Sequence, residues 1–368
     1  MRMRNVLAMA RKEVRHLVRD ARSLALMFLL PAMMLFIYGY AIKLDIYHAP
    51  IGLLQEADDD RSREIAAHFE ASSAFAVVRH FHDRRALRAA VTDHEVWAAI
   101  VIPYDFAAAV RQGTARLQLI LDGMDANTAR LMRNYVQQLV AAYADSLAPT
   151  PTLVDVEYRT WFNETNESRY AIVPGVIVMV MGVVGALMTA LTIAREMESG
   201  NLVLLRTTPL TRNEFLLGKL LPYFFVGMTN VMGCVAAAVF VFDVPLRGSL
   251  LELAAASALF MLVVMTQGAL ISLVAGSQML AAQLVQVTTF LPAFLLSGVI
   301  YAIANMPVAV QYVTAIVPAR YYVTLIKALF LKGATLATLW IDVAALFVVL
   351  LVLAILLARR AGRLGLRS

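Results

Sequence analysis

The sequence predicts an α-helical polytopic membrane protein with six transmembrane helices and an α/β extracytoplasmic domain inserted between helices 1 and 2. Three observations carry this. First, the 368 residues are 60% hydrophobic with a mean hydropathy of +0.70, whereas soluble domains are about half apolar. Second, apolar runs of membrane-crossing length recur, and 67 consecutive residues, Leu253–Ala319, carry no charge. Third, 18 of the 26 Asp and Glu fall within 44–169, against 12 Lys and Arg, so an acidic insert interrupts a basic membrane body. The basic excess follows the positive-inside rule, and no nucleic-acid partner is expected. A single cysteine, Cys234, allows no internal disulfide.

Residues 1–22 carry seven Lys and Arg, with Val6, Leu7, Ala10, Val14, Leu17 and Val18 at helical spacing. The pattern predicts an amphipathic helix on the membrane surface, contacting lipid, on the cytoplasmic side. The first span covers 23–43 and includes Pro31, expected to kink it. No cleavable signal peptide is expected, because the apolar run is long and no small-residue cleavage pattern follows it.

Residues 44–169 alternate between strand and helix patterns. Strands are expected at Pro50–Leu54, Ala74–Phe81, Trp97–Ile102 and Arg116–Leu121, with helices at Asp60–Glu70, Asp83–Val91, Tyr104–Gln112 and Asn127–Leu147. This order implies an α/β domain with a small sheet. Because it follows an in-to-out span, it is expected in the periplasm. His80, His82 and His94 lie here; a His-x-His pair can bind zinc, but no third ligand stands at recognisable spacing. Asp122 and Asp125 flank Gly123 and read as turn caps.

Residues 170–358 hold spans two to six. The second, Ala171–Ala194, contains Gly182 and Gly185, small enough for close helix contact. The charged stretch 195–219 follows, then the third span, Leu220–Phe242. Two spans fit the charge-free region, roughly Ala254–Gly276 and Ala281–Ile300, with a turn near Ser277–Gln278. Residues 305–333 read as short outer, re-entrant helices punctuated by Pro307 and Pro318. The sixth span is about Leu339–Ala358, and the basic tail 359–368 closes it on the cytoplasmic side.

Several mechanisms lack their residues. There is no G-x-x-x-x-G-K-[ST], G-x-S-x-G or H-E-x-x-H motif. Hence the chain is not expected to be an enzyme or to hold a cofactor. Ion-driven carriers place ionisable groups inside the membrane, and these spans are nearly free of them. An energy source on another polypeptide is the natural alternative. The stretch 195–219, lying between two spans, is where such a partner would act. On the residues alone, Arg195, Glu196 and Glu198 read equally as a solvated cluster of mutual salt bridges.

The arrangement resembles the ABC-2 type transporter permeases, and within them the YbhR/YbhS-like exporters with a large external domain. Arg195-Glu196-Met197-Glu198-Ser199-Gly200-Asn201-Leu202 is similar to the family's R-E-x-E-x-G-T-L signature, with Asn201 where Thr is usual. Thr207–Thr211 with Gly218-Lys219, Phe294–Pro307 (with Ala302 where Pro is usual), and Pro318–Tyr322 resemble three further family stretches. The resemblance implies a half-transporter that pairs with a second, identical or sister, permease subunit. A separate ATP-binding cassette subunit would carry ATP and magnesium. Arg195, Glu196, Glu198 and Gly200 would couple to that ATPase, with Thr207–Lys219 as the connector returning to the membrane. A periplasmic adaptor protein is a further expected partner. Tyr301, Tyr312, Tyr321 and Tyr322 are expected near the outer boundary, as an aromatic belt or as an external gate. A cavity lined by the second and fifth spans would suit an apolar or amphipathic cargo. The alternative function is a receptor or envelope-assembly scaffold that uses the external domain without ATP.

Overall fold

A computed structural model describes residues 2–41, 48–123, 126–147 and 168–364. The chain divides into two compact units, Lys43–Arg159 and the remainder.

The smaller unit is built on a four-stranded sheet in the order β2-β1-β3-β4: β1 (Ala49–Gln55), β2 (Phe75–Phe81), β3 (Ala98–Ile102) and β4 (Gln118–Leu121). β1 pairs in parallel with β2 and β3, whereas β4 is antiparallel to β3. The parallel pairs need helical crossovers, supplied by α3 (Asp60–Ala71) and α4 (Arg84–Thr92); α5 (Phe106–Arg111) and α6 (Ala126–Ser146) complete the unit. Every residue of β3 is buried, as expected of a central strand covered on both faces. Ile51, Leu53, Ile100 and Phe69 form one core with α3 and α6, while Leu54, Phe81, Leu87 and Val101 form the other beneath α4. Asp59 caps α3 by accepting from the Ser62 amide at 2.9 Å. The Arg84 hydrogen bond holds the Glu56 carboxyl below the usual carboxylate range.

Two of the histidines singled out in this unit, His80 and His94, take carboxylate partners. His80 Nε2 lies 3.1 Å from Glu70, and His94 Nδ1 lies 2.6 Å from Asp122. Among the described residues no three His, Cys, Asp or Glu side chains converge as a metal site. Asp122, expected as a turn cap, bonds a histidine; Asp125 lies outside the described residues.

The larger unit is helical. It comprises α1 (Met3–Arg19), α2 (Ala21–Ala41), α7 (Ser168–Glu198), α8 (Asn201–Arg206), α9 (Arg212–Phe240), α10 (Leu250–Ala275), α11 (Gln278–Val285), α12 (Leu291–Leu296), α13 (Val308–Thr314), α14 (Pro318–Lys327) and α15 (Trp340–Arg360). Five of these elements are long and apolar enough to cross a membrane, counting α11–α12 as one; a sixth arises if α13 and α14 form one span bent by 86°. The described part of α2 qualifies only as a shorter apolar helix, Met27–Tyr40. Helix α7 is the axis, packed by α2, α9, α10, α11 and α14. Gly185 serves the close approach the sequence suggests: a Cβ there would come within 2.7 Å of Val264 on α10.

Two helix irregularities are satisfied in place. Pro31 has no N–H, so the carbonyl four residues earlier, on Met27, lacks its helical donor. Asn230 Nδ2 of α9 supplies one at 2.6 Å. Asn230→Leu should leave that carbonyl unpaired in an apolar setting and lower stability by about 1–3 kcal/mol, read as a drop in the melting temperature of the detergent-solubilised protein. Between α11 and α12 the helix widens into a π turn, Gln286–Phe290.

Candidate coupling site

The stretch expected as a separate charged segment between the second and third spans is mostly parts of those spans. Arg195, Glu196, Met197 and Glu198 are the last turn of α7. No helix breaker stands before Ser199, so the helix runs on until Gly200 adopts φ 71°, a conformation glycine accepts without steric cost. The only separate helix in the stretch is α8, six residues long. Thr211 then starts α9 with a capping box: its hydroxyl accepts from the Glu214 amide at 3.4 Å, and Glu214 accepts from the Thr211 amide at 3.1 Å. The third span thus begins at Arg212, eight residues ahead of the expected Leu220, and Thr207–Lys219 is not one connector.

Helix α1 docks on this corner. Its buried stripe is Val6, Met9, Ala10, Glu13 and Leu17, whereas Leu7, Val14 and Val18 of the expected apolar face are exposed. Gly218 sets the distance of closest approach: a Cβ there would lie 2.6 Å from Met9 Cβ and 3.1 Å from the Val6 carbonyl. At the start of α9, Glu214 accepts from the Arg2 amide and, at 3.0 Å, from Asn5 Nδ2.

Beneath α1 four charges meet. Lys219 of α9 is 2% exposed and lies 2.8 Å from Glu13 and 3.1 Å from Glu196. Lys12 closes the group at 2.9 Å from the same Glu196 oxygen, Oε1. Lys219 also donates to the Thr192 carbonyl at 3.2 Å, and Tyr223 donates to Glu13 at 3.5 Å. Two cations and two carboxylates balance, as a buried cluster must. Glu196 Oε2 has no protein partner, and a cavity of about 70 Å³ beside it, bounded by His16, Asp20 and Arg195, has room for water. The cluster ties together α1, α7 and α9, elements separated in sequence by up to 206 residues.

Each residue expected to couple therefore has its own place. Glu196 is buried and clamps α1, so its carboxylate is not a free surface contact. Glu198 instead reaches the turn between α10 and α11, accepting from the Gln278 amide at 3.2 Å and its Nε2 at 2.9 Å. Arg195 donates to Gln278 Oε1 at 3.4 Å and lies 3.8 Å from Asp20. Sequence reasoning gave no role to Lys12, Glu13, Glu214 or Gln278, and took Lys219 only as the end of a connector. A Glu on the apolar stripe of α1 and the Gly218-Lys219 pair are the legible signals.

A largely apolar cleft of about 240 Å³ runs between α1 and the α8–α9 turn, lined by Met9, Leu205, Pro209 and Leu210 together with Asn5, Thr208 and Lys12 of the cluster. Beside it Leu204 of α8 is 69% exposed.

The four tyrosines divide. Tyr301 and Tyr312 are exposed. Tyr321 is partly buried and donates to the Ala315 carbonyl at 2.7 Å. Tyr322 departs from the expectation of a boundary position: it is fully buried, stacked on Phe260 at 4.5 Å and 2.7 Å from the Ser257 hydroxyl. On α14 it points to α10 and the core, because its neighbours Ala319, Val323 and Ile326 share the buried face.

An apolar multi-span bundle with one charged junction, and no nucleotide-binding motif in its sequence, has the makings of a transporter permease, a membrane subunit worked from outside itself. The chain belongs to the ABC-2 family: the sequence model described as "ABC-2 family transporter protein" matches residues 22–359. Among its relatives in Escherichia coli K12 is "Probable multidrug ABC transporter permease YbhS", 37% identical over 337 residues, which cover 90% of this chain and 89% of that one. "Probable multidrug ABC transporter permease YbhR" is 30% identical over 344 residues, 92% and 93% of the two chains. "Inner membrane transport permease YhhJ" is 25% identical over 256 residues, 66% of each. The chain is thus a multi-pass permease of this family, with no nucleotide-binding motif in its own sequence.

Proposed function

We propose that the chain is the membrane subunit of an exporter in the bacterial inner membrane, paired with a second permease subunit and driven by a separate ATP-binding cassette ATPase that seats on the α1–α8–α9 corner. The observation that carries this reading is the stack found there: a largely apolar cleft, with Lys12 in its wall, beside a four-charge cluster whose Lys219, Glu13 and Glu196 are buried. A push on α8 or α1 reaches both α7 and α9, because the cluster prevents the three from separating. Arg195 and Glu198 extend the same unit to α10 and α11 through Gln278. A flexible loop would absorb the stroke; a cross-braced corner transmits it.

In this reading both termini face the cytoplasm, 44–169 is periplasmic and the exposed Leu7, Val14 and Val18 of α1 meet lipid headgroups. The cargo is apolar or amphipathic, in keeping with the multidrug designation of the two relatives and with bundle walls almost free of charge. The external unit is where a periplasmic adaptor would bind. Solubilising the protein and purifying it under mild conditions tests the proposal: a stoichiometric ATPase should accompany it, with ATP hydrolysis only in the complex. Recovery of the chain with envelope proteins and no ATPase would favour the scaffold alternative.

A further inference from the structure

A second cavity lies away from the coupling corner, inside the bundle. Its volume is about 530 Å³, within the range of small-molecule sites. Its walls come from α10, α12, α14 and α15, with Gly182 of α7 at the back. Several wall residues, among them Val313, Ile316, Val348 and Val352, are half-exposed or more, so the cavity opens sideways on the bundle surface. No lining residue is charged, and only Gln267, Thr288 and Thr289 carry polar side chains.

Those three sit together at the π turn. A wide turn frees backbone carbonyls, and such turns are common at functional positions. Here Gln267 Nε2 donates to the Thr288 carbonyl at 3.2 Å, and the Thr288 hydroxyl bonds back to Leu284 at 2.7 Å. Thr289 does neither: it is 94% buried and its Oγ1 has no hydrogen-bond partner. A buried hydroxyl without a partner costs stability. Thr289 also lines the cavity, and a χ1 step of about 120° moves its hydroxyl to another staggered position, where a guest's polar group can pair with it.

We propose that this cavity is an intramembrane binding site, contained within one subunit, for an uncharged amphiphile. Its hydrocarbon body lies between α10, α12 and α15, and its single hydrogen-bonding group meets Thr289 and Gln267. A neutral membrane lipid and an imported drug-sized molecule share that chemistry. The site needs no ATPase, so its test is independent of the coupling proposal.

The experiment is photolabelling of the full-length protein in detergent micelles with a diazirine-bearing long-chain alcohol, followed by peptide mapping. Label is expected on 291–296 and 348–356. Ala293→Trp, which fills the cavity, should cut it about tenfold, and Val264→Phe serves the same end if the first variant does not fold. Thr289→Val should cut labelling about fivefold, the worth of one hydrogen bond, while holding or raising the melting temperature; Thr289→Ser should restore it. A purely structural threonine would not give opposite changes in binding and stability. Suppression by excess diacylglycerol supports the site and assigns a lipid guest. Suppression only by an uncharged steroid alcohol supports it and assigns an imported one. Label that neither competitor reduces, or that the cavity-filling variants leave unchanged, is surface lipid and overturns the proposal.

Discussion

Lys219→Met should loosen α1 from the membrane bundle and abolish coupled ATP hydrolysis while leaving the spans inserted. The substitution roughly preserves the length of the side chain but removes, among the described residues, the one cation paired with Glu13 and one of two paired with Glu196. Glu13 is 4% exposed, so its carboxylate stays in an apolar setting with no more than the Tyr223 hydroxyl beside it. Breaking a buried ion pair from one side costs about 3–5 kcal/mol. Undocking α1 relieves that cost, and limited proteolysis should cut within residues 3–19 at least tenfold faster than in the parent protein. Replacing the pair together, as Lys219→Met with Glu13→Leu, should recover much of the docking, because no orphaned charge remains at that position. If single and double variants are equally protected, the cluster does not hold α1.

Gly218→Val tests the same joint by shape. A Cβ at 218 already meets Met9 Cβ at 2.6 Å and the Val6 carbonyl at 3.1 Å. The two γ-methyls of Val add to that overlap, and neither α1 backbone nor α9 backbone can yield locally. Overpacking of this kind costs about 1–3 kcal/mol, and here the cheapest relief is to lift α1. The expected result is a functional loss resembling that of Lys219→Met, with the melting temperature of the spans little changed and the Glu214 contacts to Arg2 and Asn5 broken. Full retention of coupled hydrolysis would show that the close α1–α9 contact is dispensable.

How far the sequence reveals this molecule depends on the range of the physics involved. The spans are legible because crossing hydrocarbon demands length and apolarity in one continuous stretch. The four strands of the smaller unit start and end within two residues of expectation, because each is a short apolar run bounded by turn residues. Where elements end is less legible. Arg195–Glu198 reads as the start of a separate charged segment after the second span, yet all four residues favour helix, and α7 continues through them. The site itself is the least legible part. Lys219 reads as an ordinary basic flank of a span until Glu13 is brought to it from 206 residues away. Likewise Asn230 reads as a stray polar residue until it is seen to satisfy the carbonyl that Pro31 leaves free. Tyr322 shares a cluster with three other tyrosines in sequence but faces the core, which only the phase of α14 decides.

In the proposed function the corner formed by α1, α8 and the start of α9 receives the stroke of an ATPase. Leu204→Asp probes it most directly, since Leu204 is exposed beside the cleft and is not among the cluster's contacts. The measurement is ATP hydrolysis together with substrate export in vesicles containing the permease and its ATPase partner. Leu204→Asp is expected to lower both by more than tenfold, about 1.4 kcal/mol or more in docking free energy, with an unchanged melting temperature of the permease alone. Normal hydrolysis and normal export by that variant would contradict it.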